Sequence, residues 1–251
     1  MELIFYSVFP ALGAGVFGAV FLSVLQNEKL DSLNRDENGD LNPMLKWWIF
    51  LSLIHVGIVI GWAYLLWHLN IIKLYNNHDK FWVGLTFFIS YWVIFESVYW
   101  CMHRSQHYFS SFGLFTGHKG ELSEKFHHGM KPPYGPDYLT AFSAHPFDDF
   151  IVQLSAQSPW ILAYFYQLIS KQSLKISYLT YAITLSWLVF IGMRAHTRYS
   201  FGGAYHCKHH DDPSKGPYSF SGIPEHLLIV LKNNFFGCQN ETNQNEIYNE
   251  L

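Results

Sequence analysis

The feature that most constrains this chain is an apolar segment that ends in paired histidines, FWVGLTFFISYWVIFESVYWCMHRSQH at 81–107. About 20 apolar residues at 1.5 Å each cross a ~30 Å hydrocarbon layer. Phe81 to Trp100 therefore reads as a membrane helix whose last turns emerge into water. A helix advances about 100° per residue, so His103 and His107 leave it on one face and aim at a common point. Two imidazoles so placed can grip one metal ion. Glu96 lies on the same face, seven and eleven residues earlier. As an ionisable group near the end of a span, it either orients an imidazole from behind or reaches interfacial water.

Four further apolar stretches set the organisation: Leu3 to Leu25, Trp47 to Ile72, Phe150 to Ile169 and Ile176 to Met193. The first lacks a basic leader and is longer than a signal peptide's core, so it reads as a retained span. Between it and the second lies the polar connector QNEKLDSLNRDENGDLNPMLK. Charged residues make up 14% of the chain and aromatics 19%, against about 25% charged in soluble domains. The expected fold is thus an all-α membrane protein with about four to five transmembrane helices. The net charge of −3 gives no reason to expect nucleic acid. Three unclustered cysteines, Cys101, Cys207 and Cys238, argue against a disulfide framework.

Only SKQSLK separates the last two apolar runs, which makes them an antiparallel hairpin, with Pro159 expected to kink its first arm or mark a re-entrant shape. This topology gathers His103, His107, His118, His127, His128, His145, His196, His206, His209 and His210 on one side of the membrane. Of the 16 Lys and Arg, only Lys73, Lys80, Lys171 and Lys175 fall on the other side. The positive-inside rule then makes the histidine side cytosolic. Ile223 to Phe236 is apolar but too short to span; Ser221 and Pro224 mark its helix start, and it is expected to lie along the surface or cap the polar region. His55 and His68, alone on the second span, read as packed or interfacial.

The strongest local signal is HCKHH. At i, i+3 and i+4 on a helix, His206, His209 and His210 fall within about 60° of one another. Ten histidines exceed one tetrahedral zinc and suit two metals. Zinc has no redox chemistry, whereas iron held by neutral imidazoles can reduce oxygen, so two irons are the functional reading and zinc the structural one. Carboxylates able to orient the ligands are Glu96, Glu124, Asp148, Asp149, Asp211 and Asp212.

SVYWCMHRSQH, the pair His127–His128, AFSAHPFDDF, HTRYSF and AYHCKHH, in that order, resemble the fatty acid hydroxylase and sterol desaturase superfamily. The likeness runs from Glu96 to about Gly237, and Ala144-His145-Pro146 is more like the sterol branch. It implies a di-iron oxygenase with a membrane hairpin and a cytosolic, histidine-rich helical cap. It also implies a lipid substrate from the bilayer, electrons from cytochrome b5 or a reductase, and residence in the endoplasmic reticulum; another organelle membrane, such as the mitochondrial inner membrane, stays open. The chain then divides into N-terminal transmembrane helices at 1–95, a hydroxylase-like region at 96–237 and a polar tail at 238–251.

Three departures mark a divergent member. Eight residues, not two, separate His118 from His127, which puts them on opposite faces of an unbroken helix unless Gly117 and Gly120 interrupt it. Arg198 follows His196 where cations would sit. DDPSKGPYSF is a distant echo of the pattern after the last histidine box. Two hypotheses follow: an active lipid hydroxylase or desaturase, or a degenerate hydroxylase-fold subunit serving a larger membrane assembly.

Overall fold

The structure, a computed structural model, describes residues 38–40, 43–71, 73–76, 79–129, 141–171, 175–196, 203–213 and 216–236, with Gly13. The apolar run at 3–25, most of the connector, Arg198 and the 238–251 tail lie outside the described residues, as do the side chains of Glu124 and His127.

Two long helices come first, α1 (Leu45–His68) and α2 (Phe81–Tyr108), followed by a short α3 (Ser110–Phe115) and 3-10 turns at Gly120–Lys125 and His127–Gly129. A second long pair, α4 (Pro146–Ser170) and α5 (Tyr178–Ala195), precedes α6 (Gly203–Asp211) and α7 (Ile223–Phe236). Among the described residues, three helices are long and apolar enough to cross a membrane: Ile49–His68, Phe81–Tyr108 and Tyr178–Ala195. At 28 residues, α2 is about 42 Å long. That is longer than a hydrocarbon layer of ~30 Å.

The polarity of the bundle is inverted relative to a water-soluble one. Outward-facing positions hold Leu53, Phe81, Trp82, Phe165, Ile169 and Ile183, all exposed, while His55, Glu96, Gln153 and Gln157 are buried. An apolar exterior around a partly polar interior is what a lipid solvent selects. The interior is otherwise aromatic: Trp160, Tyr91 and Tyr181 are almost fully buried, and the Tyr91 hydroxyl donates to the Ala156 carbonyl. Helix α4 runs unbroken through Pro159. The Ser155 carbonyl, which proline cannot bond, accepts instead from the Ser158 hydroxyl at 2.7 Å.

Both interhelix connections meet at one end. A two-residue strand β1 (Leu74–Tyr75) pairs in parallel with β2 (Ile176–Ser177), with Leu74 opposite Ile176 and Tyr75 opposite Ser177. Asp79 locks this junction. One carboxylate oxygen accepts from the Ser177 amide at 3.0 Å, the Ser177 hydroxyl at 2.7 Å and Thr180 Oγ1, and the other accepts from Tyr75. With both turns at that end, the start of α1, the exit of α2, the entrance of α4 and the exit of α5 all meet at the opposite end. There the indole of Trp47 donates to the Lys125 carbonyl at 2.9 Å.

Hydrogen bonds to a charged acceptor contribute about 1.5–3 kcal/mol each when shielded, less when half-exposed. Asp79→Ala is therefore expected to cost about 1–3 kcal/mol in all, read as a lowered unfolding midpoint in detergent. The histidine end lies across the bundle, so metal uptake there should be unchanged.

Candidate metal centre

The last turns of α2 present His103 and His107, both buried, with their Nε2 atoms 3.2 Å apart. Nitrogens bound tetrahedrally to one ion at ~2.0–2.1 Å lie about 3.3 Å from each other. The Nδ1 of His103 is 2.8 Å from the Tyr218 carbonyl. A carbonyl only accepts, so the proton sits on Nδ1 and the Nε2 lone pair is left for a ligand role.

The chain then reverses to bring a third imidazole alongside. After α3, Gly117 takes φ +74, and a Cβ there would lie 2.7 Å from the Phe126 ring. The His118 amide donates to the Gly113 carbonyl at 2.7 Å, and its Nδ1 is 3.3 Å from Thr116 Oγ1. The break at Gly117 ends α3 just before His118, and Gly120, at φ +70, turns the chain between His118 and the 3-10 turn at His127–Gly129. Within the following 3-10 turns, His128 is buried. Ligand atoms of His103, His107, His118 and His128 lie within 4.8 Å of one another.

Helix α6 divides its three histidines between two places. His206 and His210, one turn apart, join His196 in a second group whose ligand atoms also fall within 4.8 Å. His209 turns toward the first group, its ring 4.5 Å from that of His107 and 4.8 Å from that of His103. The groups abut, since the rings of His128 and His210 are 5.1 Å apart. His196 repeats the tautomer device: Nδ1 donates to the Gly192 carbonyl at 2.8 Å, directing Nε2 inward. Neither ring nitrogen of His206 makes a geometrically sound hydrogen bond among the described residues. Buried histidine groups of this kind could hold a metal ion, and the donor set fits one.

Of the other sequence-predicted residues, His145 stands apart from both groups. Its Nδ1 accepts from the Phe147 amide at 3.2 Å, capping α4, and its ring packs on Phe126 at 4.7 Å. That bond caps the start of α4. Asp148 accepts from Gln106 Nε2 at 2.8 Å and lies 3.7 Å from His118 Nε2. Asp149 binds His55 of α1. Glu96, buried in α2, accepts from the Ser221 amide at 3.5 Å; it holds the loop that carries the Tyr218 carbonyl rather than touching an imidazole. Asp211 is exposed at the end of α6, and Asp212 is half-buried beyond it.

Sequence reasoning missed His55, Gln106, Tyr218 and Glu225. Glu225 is nearly inaccessible and accepts from the Tyr218 amide at 2.8 Å, the Ser219 amide at 3.0 Å and the Ser219 hydroxyl. Its only local signal is a carboxylate in the first turn of a short apolar helix, which the helix dipole explains equally well.

Burial dominates the electrostatics. It pushes His118 down to about 3, helped by His209. It pushes His196 to about 4 against the opposing Gly192 bond. It holds His206 well below the ordinary range together with His196 and His209. No protein-family model, curated protein or solved structure matches this chain.

These imidazoles are neutral when folded and take up protons when unfolded, where their pKa is near 6.5. Their contribution to stability is complete above that value and is lost as pH falls toward about 4 for His196 and about 3 for His118. Metal-free protein should lose up to about 1.4 kcal/mol per group per pH unit in that window. A circular dichroism unfolding midpoint that does not move between pH 7.5 and 5 would contradict this. Gly117→Ala, strained at positive φ and driven into Phe126, should cost roughly 2 kcal/mol and reduce metal uptake by the first group.

Proposed function

We propose that the protein is a membrane-bound non-haem oxygenase that hydroxylates or desaturates a sterol or other lipid, with two irons held by its histidines. The observation that carries this reading is the pair of abutting buried histidine groups at the end of an apolar helix bundle. His103, His107, His118, His128 and His209 would hold one ion, and His196, His206 and His210 the other. Iron, when bound, supplies reductive activation of oxygen, which zinc does not; zinc would suit the alternative of a structural subunit.

The chain's own groups perform the supporting work. The carbonyls of Tyr218 and Gly192 fix two tautomers and orient two rings. Gln106 holds the carboxylate of Asp148, which stands 3.7 Å from His118 Nε2. Burial keeps the imidazoles neutral and excludes water. Below the centre lies an interior cavity of about 80 Å3, bordered by Phe95, Phe142, Val152, Gln157, Leu188 and Phe220. Its mostly apolar lining would suit the hydrocarbon part of a lipid substrate.

In this reading α4 is a further membrane helix and the run at 3–25 another, giving four to five spans, with the histidine-rich cap on the cytosolic side. Cytochrome b5 or a reductase would donate electrons there, and the endoplasmic reticulum is the expected address.

Elemental analysis of the purified protein should find about two irons per chain, as the two groups require. His103→Ala or His209→Ala should abolish lipid oxidation and lower the iron content. Glu225→Ala, which releases the Tyr218 loop, should weaken metal affinity about 10–100-fold. A metal-free preparation that keeps its activity would refute the proposal. Zinc occupancy with stoichiometric partner chains and no turnover would favour the structural subunit.

A further inference from the structure

Helix α4 turns two primary amides into the bundle at consecutive turns. Gln153 and Gln157 are more than nine-tenths buried, and both border the interior cavity of about 80 Å3. Neither amide makes a hydrogen bond among the described residues, and Oε1 of Gln157 is buried with no partner. Asp149, one turn before Gln153, is by contrast engaged by His55, which also borders the cavity. An unmet buried amide costs free energy that a leucine in its place would not. The pair therefore lacks a partner that the described chain does not supply.

The border of the cavity narrows the chemistry of that partner. The space has room for about five to eight water-sized groups, yet most of its sides are hydrocarbon, as at Val59, Ala63, Phe95, Leu185 and Leu188. A cluster of waters would lack the roughly two to four polar partners that each one needs. One polar group on a short length of hydrocarbon meets both demands. Among the described residues no lysine or arginine borders the cavity, so a carboxylate or phosphate would sit there uncompensated. A ketone or ester could only accept, leaving the amide oxygens unmet, whereas a hydroxyl donates to an amide oxygen and accepts from an amide nitrogen. We propose that the cavity binds the hydroxyl end of a lipid alcohol, with Gln153 and Gln157 as its hydrogen-bonding partners.

The same cavity reaches the second histidine group. Gly192, whose carbonyl accepts from His196 Nδ1 at 2.8 Å, is on its border. So is Phe220, whose ring lies 5.5 Å from that of His206. A hydroxyl held on α4 keeps the adjoining carbons in the space next to that group, which makes the two glutamines positioning and specificity residues for the substrate. That role rests on the oxygenase reading, whereas the binding itself needs neither metal nor turnover. Loss of lipid oxidation with binding intact would therefore count against the oxygenase reading alone, and absent binding with oxidation intact against this inference alone.

Photoreactive probes read the site directly. The full chain in phosphatidylcholine nanodiscs is irradiated with a straight-chain alcohol carrying a diazirine near its hydroxyl, or with the matching hydroxyl-free alkane, and adducts are located by peptide mass spectrometry. The alcohol should label cavity residues saturably, Val59, Ala156 and Leu188 among them, at about tenfold lower mole fraction in the bilayer than the alkane. Gln153→Met combined with Gln157→Met keeps the linear side-chain shape without the amides. It should erase that difference and leave the unfolding midpoint no lower. A steric effect would weaken both probes alike, so the ratio between them carries the result. Competition by 1-dodecanol or by cholesterol tells a straight-chain source of the hydroxyl from a sterol, and lauric acid should not displace the probe. Circular dichroism checks each fold; should the double variant not fold, Gln157→Met alone decides, with the ratio lowered about threefold. Equal labelling by both probes, an unchanged ratio in the variants, adducts confined to lipid-facing residues, displacement by lauric acid, or displacement by neither alcohol would each overturn the proposal.

Discussion

The structure depends on packing eight imidazoles into a space closed to water. An imidazolium among them would be desolvated and repelled by its neighbours, so the arrangement exists only with neutral rings. Neutral rings still present donors and acceptors that need direction. Backbone carbonyls of Tyr218 and Gly192 accept from Nδ1 of His103 and His196 and turn the opposite nitrogens inward. The same device that satisfies a buried ring also leaves its other nitrogen open to a ligand role, and for that reason the cluster could hold a metal ion.

The carbonyl of Tyr218 is available only because its loop is held from two sides. Glu225 accepts the amides of Tyr218 and Ser219, and Glu96, from within α2, accepts that of Ser221. Phe220, between them, stacks on Tyr99 and fixes the loop against the bundle. Acidic side chains thus act on the histidines at one remove, through the backbone. On the other side, the Asp149–His55 pair ties the entrance of α4 to α1, and Asp148 on the neighbouring residue reaches Gln106 and approaches His118. Adjacent carboxylates on one helical turn consequently serve two different helices.

Local periodicity made part of this legible. The i, i+4 spacing of His103 and His107, the HCKHH helix and the spanning lengths of α1, α2 and α5 are properties of a few consecutive residues. Short-range chemistry also announced the break at Gly117. The partners were not legible, because Gln106 to Asp148, His55 to Asp149 and Tyr218 to His103 join positions far apart in the chain through ordinary residue types. His55 shows the difficulty: a lone histidine in a span reads as packing until its carboxylate is placed beside it. His145 shows the converse, since a histidine within a suggestive motif is used as a helix cap. How α6 splits its histidines is likewise a matter of what stands on either side of the helix, which spacing alone does not state.

Helix α4 carries the physical logic furthest. It is not among the helices apolar enough to cross a membrane by composition, yet it lies within the bundle, packed against α1 and α2. Its buried positions include Asp148, Asp149, Gln153 and Gln157, while Leu162, Phe165 and Ile169 face outward. The polar residues that lower its hydropathy are therefore those turned away from lipid. Asp148 and Asp149 reach histidines, whereas Gln153 and Gln157, one and two turns deeper, border the interior cavity. A helix that only filled space would gain by replacing these amides with leucines, because each buried amide without a full set of partners costs free energy. Their retention gives an otherwise mostly apolar cavity beneath the histidine groups a polar edge, supplied by the same helix whose first turn carries Asp148 and Asp149.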